Sequence, residues 1–520
     1  MSFKRLGKGL GLAVGLSMLS TAGAYAQGEG PELVIAAPTG QVGTLDPHKA
    51  VQNADTAPIS WMFNALVRFK PGQTNPATIE PDLAESWTVS EDGTEWTFNV
   101  RRGVKCHGNG EEFTAEDAAW SIKRASNKET STFAGDYVDF QDAVAVDSHT
   151  LKVTLKKPLV SMPGLLANYH GGFMLCRSTA EALGGDFASK PLGTGPFVFA
   201  EHQPQRFLRL TANKDYFRGA PQVGQIIYRY MPSEASRDLA FRSGEADIQA
   251  GRNTDDWVER AEKLPNAKVV ALEPAQLIQI YLNVTRPPLD DIRVRQAIQY
   301  AVDRDQLVSF VGKRVSRPAV SVIPSDNQGV AKFEFPKHDP EKARQLLAEA
   351  GYPNGLTIKM VQSNVASNLR PMEVLQQQLA QVGINMDMEV VDHTTWHTKI
   401  RQDLSDITFY AASRFPVADF YLTQFFHSAS IVGKPTAVTN FSHCDVADAD
   451  IEAARSEQDV QARDTFWHDA QRKLIDNVCA IPLYELTNAV VWSDKVDLGY
   501  DMVGSFTLLP DITEKVRANK

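Results

Sequence analysis

Residues 283–307 read Asn-Val-Thr-Arg-Pro-Pro-Leu-Asp-Asp-Ile-Arg-Val-Arg-Gln-Ala-Ile-Gln-Tyr-Ala-Val-Asp-Arg-Asp-Gln-Leu. Within this stretch Val294, Ala297, Ile298 and Ala301 recur at helical spacing, which predicts an amphipathic helix over Asp291 to Val308. Downstream, Asp339-Pro340-Glu341 opens another helix, with Pro at its first position and Gly351 just past its end. Pro371 to Val382 reads as a third helix and runs straight into a strand at Ile384 to Val391. Helix and strand alternate here, so this half of the chain is predicted to build an α/β lobe.

Working outward, the N-terminal half is richer in strands. Glu32 to Ala37 reads as a strand followed by a turn through Thr44-Leu45-Asp46-Pro47. Trp87 to Val104 alternates apolar and polar residues on both sides of Asp92-Gly93, the pattern of a hairpin. Thr114-Ala115-Glu116-Asp117 resembles a capping box with Asp in the Glu position, opening a helix that carries Trp120 and Ile122. Leu151 to Leu155 reads as a strand, and Gly193-Thr194-Gly195-Pro196 as a turn into a strand from Phe197. No repeat and no low-complexity linker interrupts the chain, which suggests domains between which the chain crosses more than once.

The 520 residues are 43% hydrophobic and 22% charged, values of a folded globular protein and not of a disordered or fibrous one. The formal net charge is −10, with no block of Lys and Arg, so nucleic-acid binding is not expected. At the N-terminus, Lys4, Arg5 and Lys8 precede an apolar run from Leu10 to Leu19 and a small-x-small site at Ala24-Tyr25-Ala26. This is the pattern of a cleavable export signal over residues 1–26, cut after Ala26. The run is too short to span a bilayer, and Gln27, not Cys, would begin the mature chain, so neither a membrane span nor a lipid anchor is expected. The compartment implied is a bacterial periplasm.

There Cys106, Cys176, Cys444 and Cys479 are expected to form disulfides. Three connectivities are possible; Cys106–Cys176 with Cys444–Cys479 keeps both bridges local. His107 and His443 flank two of these cysteines, but no C-x-x-C accompanies them, so metal binding is the weaker reading. His393 and His397, four apart, could share a metal on a helix face, although a surface pair is the commoner outcome. No nucleophile elbow, phosphate loop, dinucleotide fingerprint or zinc-protease helix is present, and the carboxylate pairs fall in turns and caps. The expectation is a binding protein, not an enzyme, without cofactor or metal; an exported hydrolase would need a nucleophile–base pair that the sequence does not display.

Several stretches together resemble one family. Pro81 to Trp87, Trp96-Thr97-Phe98, Arg102 to Lys105 and Phe113 to Asp117 are followed by Gly193 to Phe197 and Asn213 to Phe217. Pro288 to Asp291, Val294 to Ala297, Ala301 to Arg304, Asp339 to Pro353 and Ile481 to Tyr484 continue it in order. The chain resembles the extracytoplasmic solute-binding proteins of family 5, the dipeptide- and oligopeptide-type receptors of ABC importers. The resemblance implies a two-lobed α/β periplasmic binding protein fold of type II, in its large cluster with an extra subdomain. Lobe I would comprise 27–63, 190–280 and 490–520, the subdomain 64–189, and lobe II 281–489. A small-molecule ligand, peptide or peptide-like, would bind between the lobes and be passed to the transmembrane subunits of an ABC permease by a monomeric receptor. The alternative within the fold is a non-peptide solute such as an opine-like conjugate, a nickel chelate or haem.

In the peptide receptors of this family an Asp in the far lobe pairs with the peptide's α-ammonium. Aligning on Asp419-Phe420 puts Ser413 in that slot, with Arg414 beside it. Serine supplies no charge, so either Asp419 or another acid substitutes or the ligand lacks a free N-terminal ammonium. Arg414 offers a bidentate partner for a carboxylate or phosphate. Phe415, Trp396 and Tyr410 could line an apolar pocket. Asp46 lies in the stretch Thr44 to Lys49 that resembles the first cleft loop, and Tyr169 and His170 are candidates for the opposite wall.

Overall fold

A computed structural model describes residues 30–167, 169–412, 415–433 and 439–519; the export-signal reading of residues 1–26 lies outside them. Among the described residues nine strands form one sheet that runs through most of the molecule. Its order is Ile407–Ala412, Ala267–Leu282, Ala480–Ser493, Ile248–Ala250, Glu32–Ala37, Gln225–Tyr230, Phe207–Ala212, Phe197–Gln203, and Ser316–Pro318 pairs on Ala480–Ser493. Glu32–Ala37 is parallel to both neighbours, and its burial is nearly continuous because helices and loops cover both faces.

Two strands link the halves. Ala267–Leu282 and Ala480–Ser493 pair antiparallel from Ala267 opposite Ser493 to Tyr281 opposite Ala480. At one end they join the strands of the N-terminal core, at the other the strand Ile407–Ala412. Their ladder slips between Leu272 and Gln276 and again at Ile278/Gln279. Pro274, which has no N–H to give, falls in the first slip, and the Glu273 carbonyl there accepts from Ser505 N at 2.7 Å instead. A ladder interrupted at this point is the place for the chain to bend between lobes.

Among the described residues three large hydrophobic cores and two smaller ones surround this frame; the large ones matter here. One gathers Leu33, Trp61, Phe197, Tyr228 and Val490. A second, under the four-stranded sheet Ala84–Val89, Glu95–Val100, Thr150–Leu155, Phe140–Asp147, gathers Phe98, Phe113, Ile122, Leu151 and Met174. The third holds Val294, Ile298, Ile358, Leu375, Phe409, Phe425 and Trp467. Each such fully buried large side chain contributes about 1.5–3 kcal/mol.

The expected hairpin forms, with Trp87 opposite Phe98 and Gly93 at φ +71°, but ends at Val100, not Val104. The capping box at Thr114 forms through Asp117. The single helix expected over Asp291 to Val308 is two, Ile292–Ala301 and Arg304–Val311. Asp303 breaks it: its carboxylate accepts Gln306 N at 2.9 Å and caps the second helix, while its own N–H donates to Gln378 Oε1. The helix expected from Pro371 begins at Ala366 and carries the proline inside it. Both local disulfides are made, Cys106–Cys176 with Cα atoms 6.1 Å apart and Cys444–Cys479 at 5.9 Å. No thiolate is therefore left to join His107 in a metal site; His107 is buried between Gly195 O (2.9 Å) and Gly193 N (3.2 Å).

Candidate functional site: a cleft between two lobes

The far-lobe wall is built where the strand Ile407–Ala412 ends. Ala412 O accepts the Tyr421 hydroxyl at 2.6 Å, which ties the strand end to the helix Ala418–Phe426. Ser413 and Arg414 lie outside the described residues. Beyond them the backbone of Pro416 and Ala418 is clamped to Gln328, through Gln328 N to Pro416 O and Ala418 N to Gln328 O, both 2.9 Å. Phe415 is thus presented to the opposite lobe. Its ring packs 5.5 Å from Phe69, which in turn lies 5.0 Å from Phe506, and 5.2 Å from Phe420. It rests on Gly164 so closely that a Cβ there would lie 2.2 Å from the ring.

Asp419 is 4% exposed and faces the lobe seam. Its Oδ2 accepts from Ser161 Oγ across the seam at 3.4 Å, and its Oδ1 from Thr423 Oγ1 at 3.4 Å. Arg455 Nε sits 3.4 Å from Asp419 Oδ1, an ionic contact without hydrogen-bond alignment, and Arg455 Nη2 donates to Asp139 Oδ2 at 2.5 Å. Burial pushes the Asp419 carboxyl up, and Arg455 opposes that shift. Beside this network Gln424 Nε2 donates to Asp136 Oδ1 at 3.1 Å, while Asp136 Oδ2 holds His170 Nδ1 at 2.9 Å. His170 is stacked on Phe133 and meets Tyr169 edge-on. Gln458 adds a hydrogen bond to the Glu91 carbonyl. The lobes are therefore in contact, joined by a polar seam that Asp419 and His170 share.

The other sequence candidates fall elsewhere. Asp46 is 3% exposed and paired bidentately with Arg124 at 3.0 and 2.6 Å, so its charge is balanced by a guanidinium of the 64–189 segment. Trp396 is 2% exposed and stacks on Tyr410 at 5.9 Å, inside the far-lobe core. His393 and His397 have ring centroids 4.6 Å apart, but His393 Nδ1 is bonded to Ser363 Oγ and His397 Nδ1 to Arg401 Nη1. Burial, with help from Arg401, lowers His397 to about 4. Among the described residues no three His, Cys, Asp or Glu side chains gather as a metal site. A cavity of about 130 Å³ opens between the first two cores, lined among others by Tyr169, Phe69, Phe506, Arg68, Asn64 and Asp511.

Sequence reasoning missed Asp136, Asp139, Ser161, Gln424 and Arg455. Each is polar and lies in an ordinary helix or loop, and only the fold brings residues hundreds of positions apart into one seam. No local signal marks them.

The sequence profile described as bacterial extracellular solute-binding proteins, family 5 Middle, matches residues 78–432. Heme-binding protein A of Haemophilus influenzae is 32% identical over 359 residues, which is 62% of this chain and 63% of that protein. The glutathione-binding protein GsiB of Salmonella choleraesuis is 30% identical over 352 residues, 67% of each chain. Among solved structures, the periplasmic binding protein MoaA of A. tumefaciens R10, in complex with mannopinic acid, is 43% identical with a TM-score of 0.83. That match covers 94% of this chain and all of the other. Among the described residues no helix is long and apolar enough to cross a membrane. The two lobes, the paired strands that join them and these likenesses agree: the chain belongs to the bacterial extracellular solute-binding proteins of family 5.

Proposed function

We propose that this protein is the periplasmic receptor of an ABC importer and that its solute is a small acidic amino-acid conjugate of the opine type. The observation that carries the reading is the engagement of Asp419. A peptide receptor of this family needs an ionised acid free to meet the α-ammonium; the alignment puts Ser413 in that slot, and Asp419 shares Arg455 with Asp139 in the lobe seam, where Ser161 and Thr423 also donate to it. Arg414, next in the chain, suits a carboxylate. The likeness to a mannopinic acid complex at 43% identity supports the same choice. The solute would be enclosed as the lobes close about the two linking strands, the hinge motion that periplasmic binding proteins are known for. The closed form would then be read by the permease, which requires the solute to favour closed over open. No chemical step is assigned to the cleft.

A thermal-shift comparison tests the ligand class. Mannopinic acid at 100 times its Kd should stabilise the protein by about 2.7 kcal/mol, whereas a mixture of dipeptides and tripeptides should leave the melting temperature unchanged. The reverse pattern would return the protein to the peptide receptors.

A further inference from the structure

Behind the Phe415 wall, where the linking strands, the loop 324–328 and the segment Gly504–Phe506 meet, three carboxylates converge on one guanidinium. Arg317 donates to Glu273 Oε1 at 2.7 Å and Oε2 at 3.3 Å, and its Nε donates to Glu485 Oε2 at 2.6 Å. Ser325 gives Glu485 both its N–H, at 2.6 Å, and its hydroxyl, at 2.7 Å. Three of the guanidinium's five N–H groups and both Ser325 donors are thereby given to the two glutamates, and none to Asp326. Asp326 is left over: both of its carboxylate oxygens are buried and neither has a hydrogen-bond partner. The next residue, Asn327, is 3% exposed, and its amide oxygen and nitrogen are equally unpartnered. Burial, then the charges of Glu273 and Glu485, raise the Asp326 carboxyl well above its ordinary range, with Arg317 opposing them.

A buried acid and a buried amide without partners are costly in a folded chain unless something satisfies them. The loop that carries them is fixed to the cleft through Gln328, which is clamped to Pro416 and Ala418, and to the hinge through Ser325. Glu273, its acidic neighbour, accepts Ser505 N through its carbonyl, one residue before the Phe506 that packs on Phe69. A donor arriving in the closed cleft would supply what the loop lacks, and a cation would suit a group of three acids with one guanidinium.

We infer that Asp326 and Asn327 form an ammonium subsite at the hinge end of the cleft, in which Asp326 pairs with the protonated amine of the solute and Asn327 accepts a further hydrogen bond from it. This rests on the reading of the solute as an amine-bearing conjugate, whose amine would be met at the hinge end of the cleft and not at the Ser413 position.

The test is a cycle between one side chain and one ligand group. Mannopinic acid and its N-acetylated derivative, in which the basic amine has become a neutral amide, are titrated calorimetrically into the wild type and into Asp326→Asn. The wild type should bind mannopinic acid at least tenfold more tightly than the acetylated probe, and Asp326→Asn should erase that preference. The melting temperature of ligand-free Asp326→Asn should not fall, because the substitution removes a charge from among like charges; this separates lost contact from lost folding. If Asp326→Asn keeps the wild-type preference, the subsite is wrong while the opine reading stands. If the wild type takes dipeptides instead and Asp326→Asn weakens them tenfold, the opine reading falls and the subsite stands. Binding of none of these probes by the wild type overturns both.

Discussion

His48 and His107 are neutral in the folded chain because burial lowers each to about 4, against 6.5 when unfolded. His48 is bonded to Phe173 O at 3.0 Å and His107 to Gly195 O at 2.9 Å, so each ring knits the N-terminal core to its neighbour as a neutral donor. A depressed histidine favours protonation of the unfolded chain, so stability falls as pH drops from 6.5 towards 4 and is fully retained above 6.5. At pH 5 the loss should be about 2 kcal/mol per histidine. Buried Asp55, Asp419 and Asp511 are raised and pull the other way over a window that opens near pH 3.8. The histidine share is therefore read as a difference: urea unfolding of the wild type between pH 7 and pH 5 should lose more stability than that of His107→Asn. Parallel losses would contradict the assignment. Neither histidine stood out in sequence as a core group; His107 attracted notice only through its cysteine neighbour. Burial is a property of the fold, and a lone polar residue carries no local mark of it.

At the scale of elements, the local signals that sequence carries were read well where one residue decides the geometry. Asp92-Gly93 turns the hairpin because Gly93 adopts φ +71°, and Thr114 with Asp117 starts a helix because the two side chains satisfy its first N–H groups. Periodicity misled at Asp303, because apolar spacing continues across a residue whose carboxylate caps a new helix. It was silent about the close approach of Gly164 to Phe415, where the two residues come from opposite sides of the cleft. This contact supplies a test of closure. In Gly164→Ala the added Cβ would meet a ring already held by Phe69 and Phe420, so the lobes could not close fully. Affinity for whichever solute stabilises the wild type should drop at least tenfold, while the ligand-free melting temperature stays within a few degrees. Unchanged affinity would show that Phe415 yields and that this contact does not limit closure.

The whole molecule is two lobes joined by paired strands whose ladder is broken at the crossing, with a polar seam on one side of the cleft and an acidic cluster at its hinge end. The fold class was legible because the motifs run through the chain in order and no linker separates the halves. The seam and the hinge cluster were not, since Asp139 meets Arg455, and Glu273 and Glu485 share Arg317, only after the chain has crossed between lobes. The proposed solute class rests on the alignment that puts Ser413 where the family's peptide receptors carry an acid, and on the contact between Asp419 and Arg455. An enclosed cleft retains its solute through gentle purification when dissociation is slow. The most direct measurement is therefore to purify the protein natively, denature it and identify the released small molecules by mass spectrometry. A single amine-bearing acidic conjugate is the expected result, and a ladder of short peptides would contradict it.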